Sequence, residues 1–318
     1  MIKVGVIIPV KNGSQTLHKC LDSIMGQSIA PYIELIILDS CSTDDSVSIA
    51  RQYNAKVINV PKGTFNHGTT RNQGVNYSTG DLLYFTVQDA YLSEKNQLEK
   101  MVSHFNDTCV MAITGMQAVP HDKDKNPALW FKRFSNPVVV FKQVSTADYQ
   151  LFSDQEKYNL TKEWDDVNAM YRREALAKIP FEKTDFAEDK LWARSALSNG
   201  MKIGFDPSLV VYHYHHSTFI YTFNLEFTVN YHLYKHFNIF PNWPIFFRTY
   251  LSNVYQLWKN QFLSIREKFY WSLHNFARLS GYAVSTILFI VIGRFMGNKT
   301  LDKSFSLFCN NVPQGRSK

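Results

Sequence analysis

Between residue 1 and about residue 115, short β-rich apolar runs alternate with helix-patterned stretches, and this alternation constrains the fold more than any other feature. Val4 to Val10 is an unbroken apolar run, as expected of a strand covered on both faces. Asn12-Gly13 breaks it, Ser14 can cap the next helix, and Leu17, Leu21, Ile24 and Met25 share one helical face. Further strands are predicted at Ile33 to Leu38, Lys56 to Val60, Asp81 to Thr86 and Val110 to Thr114. Helices are predicted from a cap at Asp44 through Ala50, from Thr69 to Tyr77 and from about Glu94 to Phe105. This rhythm predicts an α/β fold, a mostly parallel central sheet with helices on both faces. Ligands of such a sheet bind where the strands end and the strand order switches. Asp39 and Gln88-Asp89 stand at such ends.

The pattern then loosens. Residues 116 to about 165 read as irregular, with Pro120, Pro127 and Pro137 and the charged run His121 to Lys125, and are expected to form a functional loop or lid. Regular structure resumes with a strand at Val167 to Tyr171, a helix to Lys178, another from Glu188 to Asn199 and a late strand at Val210 to Tyr214. From Tyr221 onward the chain is aromatic-rich and helical in pattern. We therefore divide it into a sheet domain, 1–220, and a helical C-terminal region, 221–318.

Composition narrows the function classes. The four cysteines are widely spaced, with no C-x-x-C pair, and form neither a disulfide framework nor a zinc pattern. The start lacks the basic, long apolar and small-residue segments of a signal peptide, which predicts a cytosolic or membrane-peripheral chain. A formal charge of +7 and a pI near 9.0 favour anionic partners, either nucleotide diphosphates or acidic lipid. No zinc-finger, RNA-binding or helix-turn-helix signature accompanies the charge, so nucleic acid is not an expected partner. The apolar run Gly281 to Gly293 is 13 residues long before Arg294. Spanning a bilayer takes roughly 20. Lys and Arg at 259, 266, 268, 278, 294 and 299 favour contact with an acidic lipid surface over a purely packed helix.

Several polar segments could carry chemistry. Asp39 at a strand end, ahead of Ser40, Ser42, Thr43 and Asp44, can grip a base N–H or a ribose hydroxyl, or can satisfy loop amides; we favour the first. Asp44 reads as a helix cap. Phe65 to Asn72 is dense in donors and opens a helix, so Arg71 and Asn72 are candidates for an anion, while His67 is as readily a packed loop histidine. The segment has neither the Walker nor the G-x-G-x-x-G pattern, which excludes the usual ATPase and NAD readings. Gln88-Asp89 closes a strand, and Asp89 suits a hard divalent cation shared with phosphate oxygens, although turns use Asp freely. Glu188-Asp189 at a helix start can supply a base for an acceptor hydroxyl, or simply suit the helix dipole. His213 and His215 point to one face of a strand and can complete a metal shell, touch a diphosphate, or pack between tyrosines.

Taken together these segments resemble the family 2 glycosyltransferases of GT-A fold, over roughly residues 1 to 220. Val6-Ile7-Ile8-Pro9-Val10-Lys11-Asn12 looks like that family's first strand, Leu38 to Asp44 like its nucleoside-binding turn, and Glu188-Asp189 like its general-base motif. The resemblance implies an inverting transferase with Asp189 as catalytic base. It also implies Pro9, Asp39, Arg71, Asn72, Gln88 and Asp89 at the donor nucleotide, and Glu188 and Asn168 in acceptor or supporting roles. Within the family the chain looks most like bacterial rhamnosyltransferases of polysaccharide and O-antigen synthesis, through Phe65 to Gly74, Gln88-Asp89-Ala90, Asn168 ahead of Arg172-Arg173-Glu174-Ala175, and His213-Tyr214-His215. That likeness implies dTDP-L-rhamnose as donor and a lipid-linked glycan or polysaccharide as acceptor. It also implies a cytoplasmic protein, peripheral on the inner face of the cytoplasmic membrane.

One departure from the family pattern stands out. Many members carry D-x-D after the fourth strand, and here Val87 replaces the first aspartate. A Mg2+ or Mn2+ ion is expected, held by Asp89 and His215, with His213 as a further ligand. Three other readings remain on the sequence. One is the same enzyme class with a UDP-hexose or UDP-N-acetylhexosamine donor, and another a catalytically silent sugar-nucleotide-binding protein. The third, a nucleotidyltransferase, is the poorest, because Asn12-Gly13-Ser14 offers one glycine where a phosphate loop needs several. The sequence leaves the oligomeric state open.

Overall fold

A computed structural model of the chain describes residues 2–122, 124–129, 138–184, 186–240, 243–296, 299–300 and 302–303. Over these residues the chain divides into two compact units, one of residues 2–118 and 138–214, the other of residues 119–129 and 215–303.

In the first unit, β1 (Val4–Val10), β2 (Ile33–Asp39), β3 (Lys56–Asn59) and β4 (Leu82–Phe85) lie parallel in the order β3-β2-β1-β4, linked by α1 (Leu17–Met25), α2 (Ser46–Gln52) and α3 (His67–Tyr77). These are the βα units that the hydrophobic periodicity predicts. The strands are apolar throughout because both faces are covered: Val6, Ile8, Leu35 and Ile37 belong to one core cluster, and Ile7, Ile36, Leu38 and Phe85 to the other. α1 turns Leu17, Cys20, Leu21 and Ile24 into the first of these.

Beyond β4 the sheet becomes mixed. β8 (Ala169–Arg172) pairs antiparallel with β4 and with β6 (Val110–Ala118), which in turn runs parallel to β9 (Lys202–His213). β5 (Ala90–Leu92) and β7 (Val140–Lys142) pair antiparallel with β9. β9 starts well before the point that the sequence pattern predicts, because Gly204 and Pro207 interrupt its apolar alternation. The partner strand β6 absorbs the resulting irregularity with register shifts at Val110/Ala112 and Thr114/Met116. The stretch read as irregular, 116 to 165, holds the end of β6, β7 and two short helices, α5 (Thr146–Leu151) and α6 (Asp154–Thr161). Pro137, read as part of that stretch, lies outside the described residues.

The other helices divide between the units. α4 (Gln97–Ser103), α7 (Arg173–Lys178) and α8 (Glu188–Ser198) belong to the first. The second unit is helical: α9 (Phe219–Phe237), α10 (Trp243–Lys259) and α11 (Ile265–Phe295). α9 packs on α11 through Phe227, Tyr231, Phe289 and Ile292.

Candidate active site at the strand ends

The β1–β4 pairing stops at Ile7 opposite Phe85, whereas the β1–β2 pairing continues to Val10 opposite Asp39. The sheet therefore opens between β1 and β4. Pro9 stands in the unpaired stretch, where an absent N–H costs no ladder bond to β4.

The loops after β1, β2 and β4 are tied to one another by polar groups. Lys11 and Gln88 exchange bonds, the Lys11 amide donating to Gln88 Oε1 at 2.8 Å and Gln88 Nε2 donating to the Lys11 carbonyl at 3.2 Å. Lys11 Nζ donates to the carbonyl of Cys41 at 2.6 Å and to that of Ser40. Asp39 is buried, and its carboxylate accepts from the Ser42 amide at 3.2 Å. Asn12 Oδ1 accepts from the Thr43 amide at 2.8 Å. Asp44 does not occupy the capping position of α2, which is Asp45. It cross-braces the β1 and β2 loops, accepting from the Ser14 amide and from both the amide and hydroxyl of Ser46. Burial opposes its charge, but these donors prevail and hold its carboxyl at about 2.

The donor-rich segment 65–72 has a different surrounding from the open anion site that its composition predicts. Asn66 caps α3, accepting from the Thr69 amide, and donates to the Thr184 carbonyl at 2.7 Å. Both ends of the Asn72 amide bond the backbone of Phe181, at 2.8 and 3.0 Å. Arg71 is buried; its Nη1 donates to Glu188 Oε1, and its Nε lies 3.3 Å from Asp166 Oδ2. Asp166 Oδ1 accepts in turn from the Tyr171 hydroxyl, which accepts from Trp164 Nε1 at 2.8 Å. α3 is thus bonded to the chain that leads into α8. Burial, with Arg71 nearby, pushes the His67 imidazole down to about 4, so the ring is neutral at neutral pH.

Gly68 belongs to this contact, since a Cβ there would lie 2.1 Å from the Glu182 carbonyl oxygen. Alanine would gain about 1 kcal/mol of helix preference. A clash with backbone cannot be relieved by a rotamer, and overpacking of this kind costs about 1–3 kcal/mol. Gly68→Ala is therefore expected to lower stability in a urea titration, and an unchanged or raised midpoint would show that the 181–184 segment yields freely.

α8 starts from Ala187 at φ 62°, a left-handed conformation that a non-glycine residue holds at a cost of about 1–2 kcal/mol. Glu188 and Asp189 form its first turn. Burial raises the Asp189 carboxyl above its ordinary value, the neighbouring Asp165 raises it further, and Lys190 and Arg71 oppose them. Its Oδ1 accepts from the Lys190 amide at 2.7 Å. Glu188 is likewise raised by burial, and Arg71 pulls it back. Asn168 is wholly buried, accepting from the Tyr84 hydroxyl at 3.0 Å and donating to the Leu209 carbonyl at 2.8 Å. It supports the sheet below the site.

The antiparallel pairing of β5 with β9 sets Ala90 opposite His213 and so brings Asp89 beside that ring. His213 Nε2 is 3.3 Å from Asp89 Oδ1, and its Nδ1 is 2.8 Å from Gln117 Oε1. Gln117 donates its Nε2 to Asp165, which turns its oxygen toward the histidine. In the neutral ring the Nδ1 proton then goes to Gln117, and the Nε2 lone pair faces a carboxylate. Two acceptors at that distance call for a cation or a proton between them. His215 comes two residues later, as the first residue of the second unit. A carboxylate and an imidazole placed as those of Asp89 and His213 suit a divalent ion that takes such ligands.

Asp165, Asp166, Gln117, Lys190 and Tyr171 join the site, and none of them stands out in the sequence. The adjacent acids Asp165-Asp166, shortly ahead of a strand, are the one signal that could have found them.

Comparison with known proteins bears on the family and the fold. Residues 5–180 match the model of glycosyl transferase family 2. The O-antigen chain rhamnosyltransferase RfbN of Salmonella typhimurium is 33% identical over 223 residues, 68% of this chain and 68% of that protein. The O-antigen chain rhamnosyltransferase WbaN of Salmonella anatum is 34% identical over 218 residues, 67% of this chain and 66% of that protein. Among solved structures, Staphylococcus aureus TarS in complex with UDP has a TM-score of 0.54 at 15% identity, covering 91% of both chains. The mannosyltransferase PcManGT of Pyrobaculum calidifontis, in complex with GDP-Man and Mn2+, has a TM-score of 0.55 at 16% identity, covering 96% of this chain and 85% of that one. The fold is that of the GT-A enzymes, and the chain is a glycosyltransferase that belongs to glycosyl transferase family 2.

Proposed function

We propose that the chain transfers L-rhamnose from dTDP-L-rhamnose, with inversion, to a hydroxyl of a lipid-linked glycan at the inner face of the cytoplasmic membrane. One observation carries the catalytic reading. Contacts run from the Asp39 turn through Lys11 and Gln88 to Asp89, and on through His213 and Gln117 to Asp165, whose charge helps raise the carboxyl of Asp189. The rhamnose donor is supported by likeness to RfbN and WbaN.

In this reading Pro9, Asp39 and Gln88 border the nucleoside, and Asp89, His213 and His215 hold Mg2+ or Mn2+. When bound, the ion would neutralise charge on the departing diphosphate. Asp189 takes the proton of the acceptor hydroxyl as that oxygen bonds to the anomeric carbon and the bond from that carbon to the diphosphate oxygen breaks. Burial and the adjacent Asp165 make this carboxylate more basic than a solvated one, which suits the role. Arg71 and Asn72, expected from sequence at the donor, act here through their bonds to Glu188 and Phe181.

A thermal-shift panel of nucleotide sugars, with and without Mn2+, tests the donor. At a hundredfold excess over Kd a ligand adds about 2.7 kcal/mol, roughly 5 °C or more for a unit of this size. dTDP-L-rhamnose with Mn2+ is expected to give the largest shift, and Asp89→Ala or EDTA to remove most of it. A UDP-sugar ranking first would favour the second reading, which the likeness to UDP-bound TarS supports. A shift and a transfer rate indifferent to EDTA and to Asp89→Ala would remove the metal from the proposal.

A further inference from the structure

A helix on a soluble core buries its apolar stripe and exposes its polar one. α11 departs from this: it buries Trp271, Leu279, Phe289 and Ile292, yet buries polar residues among them and leaves a long apolar stripe exposed. Its inward face carries His274, Asn275, Ser285 and Thr286, all buried, with Gly281 set so close to α9 that a Cβ would lie 2.5 Å from the Phe223 carbonyl oxygen. Three of these inward groups, Asn275, Ser285 and His274, are bonded within the unit. Asn275 pairs with Asn126 at 2.9 and 3.1 Å, Ser285 accepts from Asn230 at 2.5 Å, and His274 Nε2 is 3.0 Å from the Ser217 carbonyl oxygen. Small residues at the crossing and polar side chains joining the helices are the packing style of helices in lipid.

The outward face is apolar along the whole length of α11. Ile265, Phe269, Leu273, Val284, Ile287 and Phe295 recur on one side at helical spacing and are exposed, Phe295 by 77%. α10 carries a second stripe, Phe247, Leu251, Tyr255 and Trp258, which continues into Phe262 at 80% exposure. The stripes meet where Trp258 and Phe269 touch edge to face, with ring centroids 5.1 Å apart. Scattered exposed apolar residues need no explanation, but two joined stripes do.

The charges beside the stripes decide what covers them. Between residues 243 and 295 there are six basic residues, Arg248, Lys259, Arg266, Lys268, Arg278 and Arg294, and a single acidic one, Glu267. A second copy of this chain would bring the same positive charge to the contact and be repelled. An anionic bilayer would be attracted. The apolar surface is one-sided and runs the length of a helix about 46 Å long, with basic residues near its ends, while Arg278 in its middle is paired with Glu226 of α9. That is the pattern of a helix lying in the interface plane.

We propose that the outward face of α10 and α11 is a monotopic membrane-docking surface, seated in the headgroup and upper acyl region of a bilayer containing anionic phospholipid. This deepens the membrane placement of the proposed function, yet it stands on the second unit alone. Donor binding by the first unit does not depend on it.

The test is vesicle flotation of the purified full chain. Phosphatidylcholine vesicles are compared with vesicles of phosphatidylcholine and phosphatidylglycerol at about 7:3. The wild-type chain is expected to float with the anionic vesicles at least tenfold more than with the neutral ones. F262D/F269D changes two exposed side chains and should keep the wild-type melting temperature and its shift with nucleotide sugar, while losing at least tenfold in flotation. Equal flotation by wild type and variant would overturn the proposal, as would no flotation by the wild type. A dimer in sedimentation that the variant dissolves would assign the face to a second copy. Resistance of the wild type to alkaline carbonate extraction would assign α11 to a span instead.

Discussion

Asp189→Asn is expected to reduce glycosyl transfer by about 10²- to 10⁴-fold, the usual contribution of a positioned general base, while leaving donor affinity close to that of the wild type. The substitution keeps the shape and the Oδ1 acceptor that receives the Lys190 amide, so the first turn of α8 is preserved. What it removes is the site for the acceptor proton. Only the carboxylate form can take that proton. Because burial and Asp165 raise the Asp189 carboxyl, wild-type turnover at saturating donor should climb with pH through a range above that of an ordinary carboxyl. Donor affinity read by calorimetry and turnover read by product formation separate the two effects. Loss of affinity with turnover surviving would assign Asp189 to donor binding and leave the reaction without its proposed base.

The parallel half of the sheet was legible because burial on both faces writes continuous apolar strands, and because Asn-Gly and capping residues punctuate them. The places of Asp39 and Asp189 in the fold were legible for a related reason, one at the end of an apolar strand and the other at a helix start. Asp89, read as closing the fourth strand, lies instead in the turn between β4 and β5. The mixed half was harder to read. β5 has three residues, too few for an alternation to register, and β9 carries Gly204 and Pro207 within it. α6 announces itself through Ser153 and Glu156, a capping box that the structure forms with both reciprocal bonds, but eight residues with weak periodicity around it hid the signal. The segment from Phe65 to Asn72 shows the deeper difficulty. Its donors could be read as facing an anion, and they do face carboxylates, but those belong to Glu188 and Asp166, far along the chain. Which partner a buried Arg takes is a property of the tertiary structure. No local pattern encodes it. The second unit poses a related problem, since the apolar spacing of α11 is plain while the face it turns outward is not.

Arg71→Met should produce the largest loss of stability of any substitution considered for this chain, about 3–5 kcal/mol at pH 8, because it leaves Glu188 and Asp166 buried without their shared cation. Methionine retains most of the volume, so the loss tests charge and hydrogen bonding rather than a cavity. Its pH dependence has a definite sign. Burial raises both carboxyls, and Arg71 is the group that pulls each of them back. Without it their folded values rise further, and a carboxyl raised on folding contributes stability that is present below its unfolded value and lost as pH rises through its folded one. The deficit of the variant is therefore widest above neutrality and narrows as the pH falls towards the carboxyl range. Urea titrations of wild type and variant at pH 8 and pH 5 read this directly. A deficit under about 1 kcal/mol, or one equal at the two pH values, would mean that solvent reaches the two carboxylates once the guanidinium is gone. A raised donor Kd in a variant that remains folded would return Arg71 to the nucleotide, the role its sequence context predicts. The two outcomes are separable because α3 reaches Glu188 through Arg71 and Phe181 through Asn72, and the second tie survives the substitution.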